Sequence, residues 1–230
     1  MEFYDSIIQE VYALTKSLPQ KDFLYNEKNI CKDIGYNQVI LQRDTAFELD
    51  GAGFNLFTSS QVKSGVTVIG DDLKSIACNR KFARVSLVQI EDCDGEQETY
   101  GIIKKADYVK YHFFPEGYMI RTTSRTNKES VRVAKSAIKG GISFEKAGNL
   151  LIKKYKENPK IKAVRIVFIT DEKAELKLFE ELARKSYAIT ETFNHIMNNV
   201  KFDCDSCNLK PVCDEVEGMK ELHFRKSGLM

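Results

Sequence analysis

Apolar positions along the chain change their period twice, and each change marks a change of element. Phe3, Ile7, Ile8, Val11 and Leu14 recur at helical spacing and predict an amphipathic N-terminal helix that stops before Pro19. Residues 19–35 are polar and irregular and read as a linker. Short β-like runs follow at 38–42, 46–49, 54–58 and 66–69. Between the second and third, Asp50-Gly-Ala-Gly53 carries two glycines that permit positive φ, so a hairpin or bulge is expected. The run 66–69 ends at Gly70-Asp71-Asp72-Leu73, and a longer strand at 84–91 is expected to turn at Asp94-Gly95 into another at 99–103.

Helical and strand periods then alternate. Residues 106–114 predict a short helix carrying Tyr108, Tyr111, His112 and Phe113, with His112 packed at the edge of the core. Runs at 118–123 and 130–134 form a second hairpin. Ser143 caps a helix whose apolar face is Phe144, Ala147, Leu150, Leu151 and Tyr155, ending at Asn158-Pro159. The most hydrophobic run, 161–170, is expected to be a central strand. Thr170 or Asp171 then caps the longest helix, from 172 toward 198, along Leu176, Phe179, Leu182, Ala183, Ile189, Phe193 and Met197. The pattern predicts an α+β fold, with a mixed or antiparallel sheet, flanking helices and a cysteine-rich C-terminal metal-binding tail. It divides the chain into a helix and linker (1–35), an α+β domain (36–200) and the tail (201–230).

Composition narrows the function classes. With 43% hydrophobic and 30% charged residues the chain is an ordinary folded one, and a formal net charge of +2 gives no argument for nucleic acid. No apolar run reaches bilayer length and the N-terminus lacks a signal-peptide pattern, so no membrane is expected and a reducing cytoplasm is the expected location. In that compartment clustered cysteines bind metal more often than they pair. Cys204, Cys207 and Cys213 form such a cluster, whereas Cys31, Cys78 and Cys93 are isolated and read as structural. The C-x2-C spacing followed by a third thiolate suits an iron–sulfur cluster or zinc, with His223, an acidic neighbour or an external group as the fourth ligand. His195 is a candidate outer partner of that centre, although a histidine packed on its helix is the more ordinary reading. A second candidate is the basic stretch Arg121, Arg125, Lys128, Arg132, Lys135 and Lys139, whose arginine forks suit phosphate if they are not simply a solvated face. No Ser-His-Asp, HExxH or GxGxxG pattern is present.

Several segments taken together resemble the acetyl-CoA synthase (beta) subunit of the carbon monoxide dehydrogenase/acetyl-CoA synthase system. They are Val68-Ile-Gly-Asp-Asp-Leu73, the basic hairpin after Glu116-Gly117, Leu150-Leu-Ile-Lys-Lys-Tyr-Lys156, Val164-Arg-Ile-Val-Phe-Ile-Thr-Asp-Glu172, Leu182-Ala-Arg-Lys-Ser-Tyr187 and the cysteines. The likeness runs from about residue 45 to about 215 and covers the family's middle domain and the opening of its metal domain. It implies a [4Fe-4S] cluster on Cys204, Cys207 and Cys213, with Cys207 matching the thiolate that bridges to nickel. It also places Arg125 and Arg132, beside Arg121, where the family handles coenzyme A. The family's downstream Cys-Gly-Cys is absent, no tryptophan is present, and Met119 stands near the place of the family's hairpin tryptophan. The resemblance therefore implies an accessory, electron-transfer or partner subunit in anaerobic one-carbon metabolism. Its expected partners are a corrinoid protein, a methyltransferase or a CO dehydrogenase-type subunit. A zinc-stabilised ligand-binding domain and an enzyme handling CoA thioesters are the alternatives.

Overall fold

Seven strands and six helices lie among the described residues of the computed structural model, which are 3–91, 95–198, 207–216 and the single positions 219 and 222. The strands are β1 (Gln20–Leu24), β2 (Thr45–Thr58), β3 (Gly65–Ile69), β4 (Arg80–Ile90), β5 (Tyr118–Thr123), β6 (Lys128–Ala134) and β7 (Ile161–Ile169). They form one mixed sheet in the order β1-β3-β7-β4-β2-β6-β5. The β2–β4 and β3–β7 pairs are parallel and the others antiparallel. The helices are α1 (Asp5–Thr15), α2 (Glu96–Tyr108), α3 (Lys135–Lys139), α4 (Phe144–Lys156), α5 (Leu176–Met197) and α6 (Lys210–Glu215).

Strand alternation decides which helix covers which face. Phe168, Arg84 and Gly53 stand directly across from one another on β7, β4 and β2 and so share a face. Helix α4 lies over that side of β3 and β7, with the Phe144 ring stacked 4.4 Å from that of Phe168. Lys81, three residues from Arg84, points the other way and meets Glu180 of α5, which runs over β2 and β4. Helix α1 packs on α5, and the hydroxyls of Tyr4 and Thr190 share a 2.9 Å hydrogen bond between them. With helices on both sides, the interior strands β7 and β4 are buried along most of their length. Ser143 caps α4 as expected, its hydroxyl accepting from the Lys146 amide.

Several expectations from the sequence need correcting, each for a physical reason. Residues 50–53 do not turn: β2 runs straight through them in continuous register with β4. Their glycines serve close approach, since a Cβ on Gly51 would lie 1.8 Å from the Phe82 carbonyl oxygen and one on Gly53 would lie 2.0 Å from Glu129 Oε2. Residues 99–103 belong to α2, because Tyr100, Ile103 and Ala106 are buried at helical spacing behind acidic residues in the first turn. Residues 38–42 do not form a strand: Gln38 hydrogen-bonds Pro115 and Gly117, and a 3₁₀ turn begins at Gln42. The linker contains β1, an edge strand whose mostly exposed side chains leave no hydrophobic alternation to read. In addition α5 starts at Leu176, because Thr170 donates its hydroxyl to the Asp71 carbonyl and holds a turn there.

Under the α4 side of the sheet lies a buried polar group of side chains. Arg84 and Glu129 are 1% and 0% exposed and form a two-pronged ion pair, with Nη2 to Oε2 at 2.6 Å and Nε to Oε1 at 2.9 Å. The remaining prong, Nη1, donates to Ser86 at 2.7 Å. Burial opposes the guanidinium charge, but the touching carboxylate outweighs it and raises the Arg84 pKa. Replacing Glu129 with Ala should therefore strand a buried cation and cost about 3–5 kcal/mol in urea unfolding. The double substitution Arg84→Met with Glu129→Leu should recover most of that loss. A cost for Glu129→Ala below about 1 kcal/mol, the range of an exposed pair, would show that the pair does not bear on stability.

Candidate functional site

The basic stretch folds into the β5–β6 hairpin at one end of the sheet. Register sets Met119 opposite Arg132 and Arg121 opposite Ser130, and on the β2 side Glu48 opposite Arg132. These side chains line a shallow hollow of about 110 Å³. Enclosing sites for small molecules run to roughly 300–1,000 Å³, so this hollow suits a phosphate-sized group laid on the surface.

The predicted arginines are not equivalent there. Arg132 is committed to the fold: its Nε and Nη2 lie 2.8 and 2.7 Å from Glu48 Oε1, and its Nη1 donates to the Ile40 carbonyl at 2.9 Å. Lys128 is likewise paired with Asp50 at 3.1 Å. Arg121 and Arg125 are exposed, and neither joins an ion pair among the described residues. Met119, near the place of the family's tryptophan, is buried, and its sulfur accepts from the Ile40 amide.

Arg125 rides a 3₁₀ turn, Ser124–Thr126, that closes on Asn127. Asn127 is the one described non-glycine residue with positive φ, at 48°, and it is 2% exposed. Its side chain accepts from Lys110 Nζ at 2.8 Å and donates to the Ala183 carbonyl of α5 at 3.0 Å, and its own carbonyl accepts from the Gly53 amide at 2.9 Å. Lys110 is 2% exposed and also donates to Asp107 at 2.9 Å. Burial lowers its pKa, and Asp107 offsets part of that shift. Sequence pattern missed Lys110 because a single lysine in an aromatic stretch reads as surface. Only its partners reveal the burial.

At the base of the hairpin is a larger hollow of about 450 Å³, bordered by Cys31, Lys32, Glu116, Ser136, Gly141 and Lys146. Burial pushes the Cys31 thiol up to about 12 despite nearby Lys146, so this cysteine offers no thiolate near neutrality. His112 is exposed rather than packed, with its ring 4.4 Å from that of Tyr108. His195 pairs with Glu191 at 2.9 Å along α5.

Of the expected metal ligands, Cys207 and Cys213 are half-exposed, while Cys204 and His223 lie outside the described residues, as does Cys93. Cys207 begins a turn in which its carbonyl accepts from the Lys210 amide, and Cys213 lies in α6, which packs on α5. The described residues hold no group of three metal-ligating side chains.

Two of the segments that carried the resemblance, Val68–Leu73 and Val164–Glu172, meet at the ends of β3 and β7. Gly70, at φ 96°, closes β3 where a Cβ would lie 2.5 Å from the Asp171 amide at the end of β7. Asp72 accepts from the Phe144 amide at 2.8 Å and so anchors α4 to the same corner, while Arg80 pairs with Asp71 at 2.6 Å. Among the described residues no helix is long and apolar enough to cross a membrane.

The chain is similar to the carbon monoxide dehydrogenase/acetyl-CoA synthase subunit alpha of Moorella thermoacetica, at 29% identity over 201 residues. That alignment covers 81% of this chain and 26% of the relative, so the chain spans about a quarter of that protein's length. A family profile matches residues 27–175, from the linker through β7 to the approach to α5, and stops before the cysteines. From the hairpin to the Gly70–Asp171 corner, the chain belongs to the family of the CO dehydrogenase/acetyl-CoA synthase complex beta subunit.

Proposed function

We propose that this chain serves a CO dehydrogenase/acetyl-CoA-synthase-type complex as an accessory, electron-transfer or partner subunit. In this reading Cys204, Cys207 and Cys213 hold an iron–sulfur cluster, and Arg121 and Arg125 meet an anionic coenzyme of the coenzyme A type. The observation that carries the reading is the partial exposure of Cys207 and Cys213, the latter on α6 against α5, in a chain whose body belongs to this family, while Cys31 is buried. A centre at that place could exchange electrons with a partner without passing through the core. Its fourth ligand would come from His223, a carboxylate or the partner. A corrinoid protein, a methyltransferase or a CO dehydrogenase-type subunit would be that partner.

For the coenzyme, the exposed guanidinium groups supply two-pronged donors to phosphate oxygens, and the hollow beside Met119 receives one phosphate. Arg132 contributes differently from Arg121 and Arg125: with its donors spent on Glu48 and Ile40, it holds β6 against β2. The mixed charge of the hairpin face suits selective rather than tight binding, because anions face Glu48 and Asp50 as well as the arginines.

Anaerobic reconstitution with iron and sulfide should give a broad visible absorption that Cys204→Ser, Cys207→Ser or Cys213→Ser each removes, with Cys78→Ser unaffected. Stoichiometric zinc without colour would overturn the cluster and favour a zinc-stabilised domain. Calorimetric titration with coenzyme A should show Arg125→Ala weakening binding by roughly tenfold, about 1.4 kcal/mol. Arg132→Ala should leave affinity nearly intact and cost stability of up to about 1 kcal/mol instead, as for other partly exposed pairs. No heat of binding at about millimolar coenzyme A, the weak end of measurable affinity, would reject the coenzyme site.

A further inference from the structure

We propose that Lys110 is a positioning residue for the basic turn: through the side chain of Asn127, its buried ammonium holds Arg125 in the conformation that meets an anion. The proposal rests on the reading of Arg125 as an anion contact and adds the element that sets its geometry. Lys110 lies just after α2 and Asn127 at the foot of the Ser124–Thr126 turn, 17 residues apart in sequence and 2.8 Å apart at their polar atoms.

The argument begins with the backbone of Asn127. A left-handed conformation costs a non-glycine residue about 1 kcal/mol, and the surroundings must supply that energy. Asn127 is held on three sides: by Lys110 at its carbonyl oxygen, by Ala183 at its amide nitrogen, and by Gly53 at its backbone. Of these, Lys110 is the charged donor, and charge-assisted bonds are roughly twice as strong as neutral ones. Its ammonium is in turn fixed by Asp107, whose same oxygen accepts from Asn55, and Asn55 accepts from Tyr155. The chain of contacts therefore ties the turn to α2, β2 and α4 together.

Release of that contact acts on Arg125 because Asn127 closes the turn that carries it, although the turn also packs on α5, whose Ala183 carbonyl accepts from Asn127. Ser124 and Arg125 are exposed, and Arg125 has no ion pair among the described residues. With Asn127 unlatched, the tip samples many conformations, and anion binding must order it again.

Two substitutions and their combination test this. Trypsin cuts after Arg125 only when the turn opens, and after Arg84 only when the whole sheet opens, since Arg84 is 1% exposed. Lys110→Met should raise cleavage after Arg125 by about tenfold relative to cleavage after Arg84, as local opening predicts. Asn127→Gly keeps the left-handed turn but removes the acceptor, and it should raise the same ratio. If Lys110 acts through Asn127, the double variant should not exceed Asn127→Gly alone in this ratio, as double-mutant coupling requires. Coenzyme A affinity should fall by about tenfold in Lys110→Met, in step with the cleavage ratio. An unchanged ratio, a proportional rise at both sites, or additive effects of the two substitutions would overturn the proposal. If the unsubstituted protein binds no coenzyme A, the coenzyme reading fails alone, and the cleavage ratio still decides the latch.

Discussion

A charged pair with no access to water fixes the middle of this protein. Arg84 on β4 and Glu129 on β6 meet across β2, with Gly53 between them. The two charges can be buried only if each is paired and all the guanidinium prongs find acceptors. Glu129 and Ser86 meet that requirement. The pair in turn requires a glycine on β2, because a methyl group there would occupy the carboxylate's place. Strand order, register and side-chain size at this point are therefore one constraint rather than three.

From that centre the polar interior extends toward the candidate site. Lys110, Asp107, Asn55, Tyr155 and Asn127 continue the network away from the pair toward the tip of the hairpin. Such networks are costly when half satisfied and rigid when complete, and this one ends at Asn127, the left-handed residue that carries the basic turn. The core therefore sets the presentation of Arg125 from within, while Arg132 is used to join β6 to β2 and to the strap at Ile40.

The cysteine tail stands in a different relation to the body. Helix α5 runs along the opposite side of the sheet from α4, and α6, which carries Cys213, packs on α5 with Val216 buried in the core. The family match covers the sheet and ends before this region, so the two candidate sites rest on different footings. The hairpin lies inside the matched body, and the cysteines lie beyond it, in a chain that spans about a quarter of its relative from Moorella thermoacetica.

What the sequence determined by itself was local and periodic. The N-terminal helix, the capped helix at Ser143, the hydrophobic strand before Thr170 and the basic hairpin were all legible, because each carries its own spacing and its own stop signal. The α+β class followed from their order. Tertiary structure decided what depends on a distant neighbour. It turned Gly51 and Gly53 from a turn signal into close contacts with Phe82 and Glu129. It added an edge strand, β1, held by backbone pairing with β3 and by the Asp22–Arg165 ion pair. It divided the arginines into one bound to Glu48 and two left exposed, and it buried Lys110 where composition suggested surface. The reason is common to these cases: a residue's period reports which way it points, and only packing reports what it meets there.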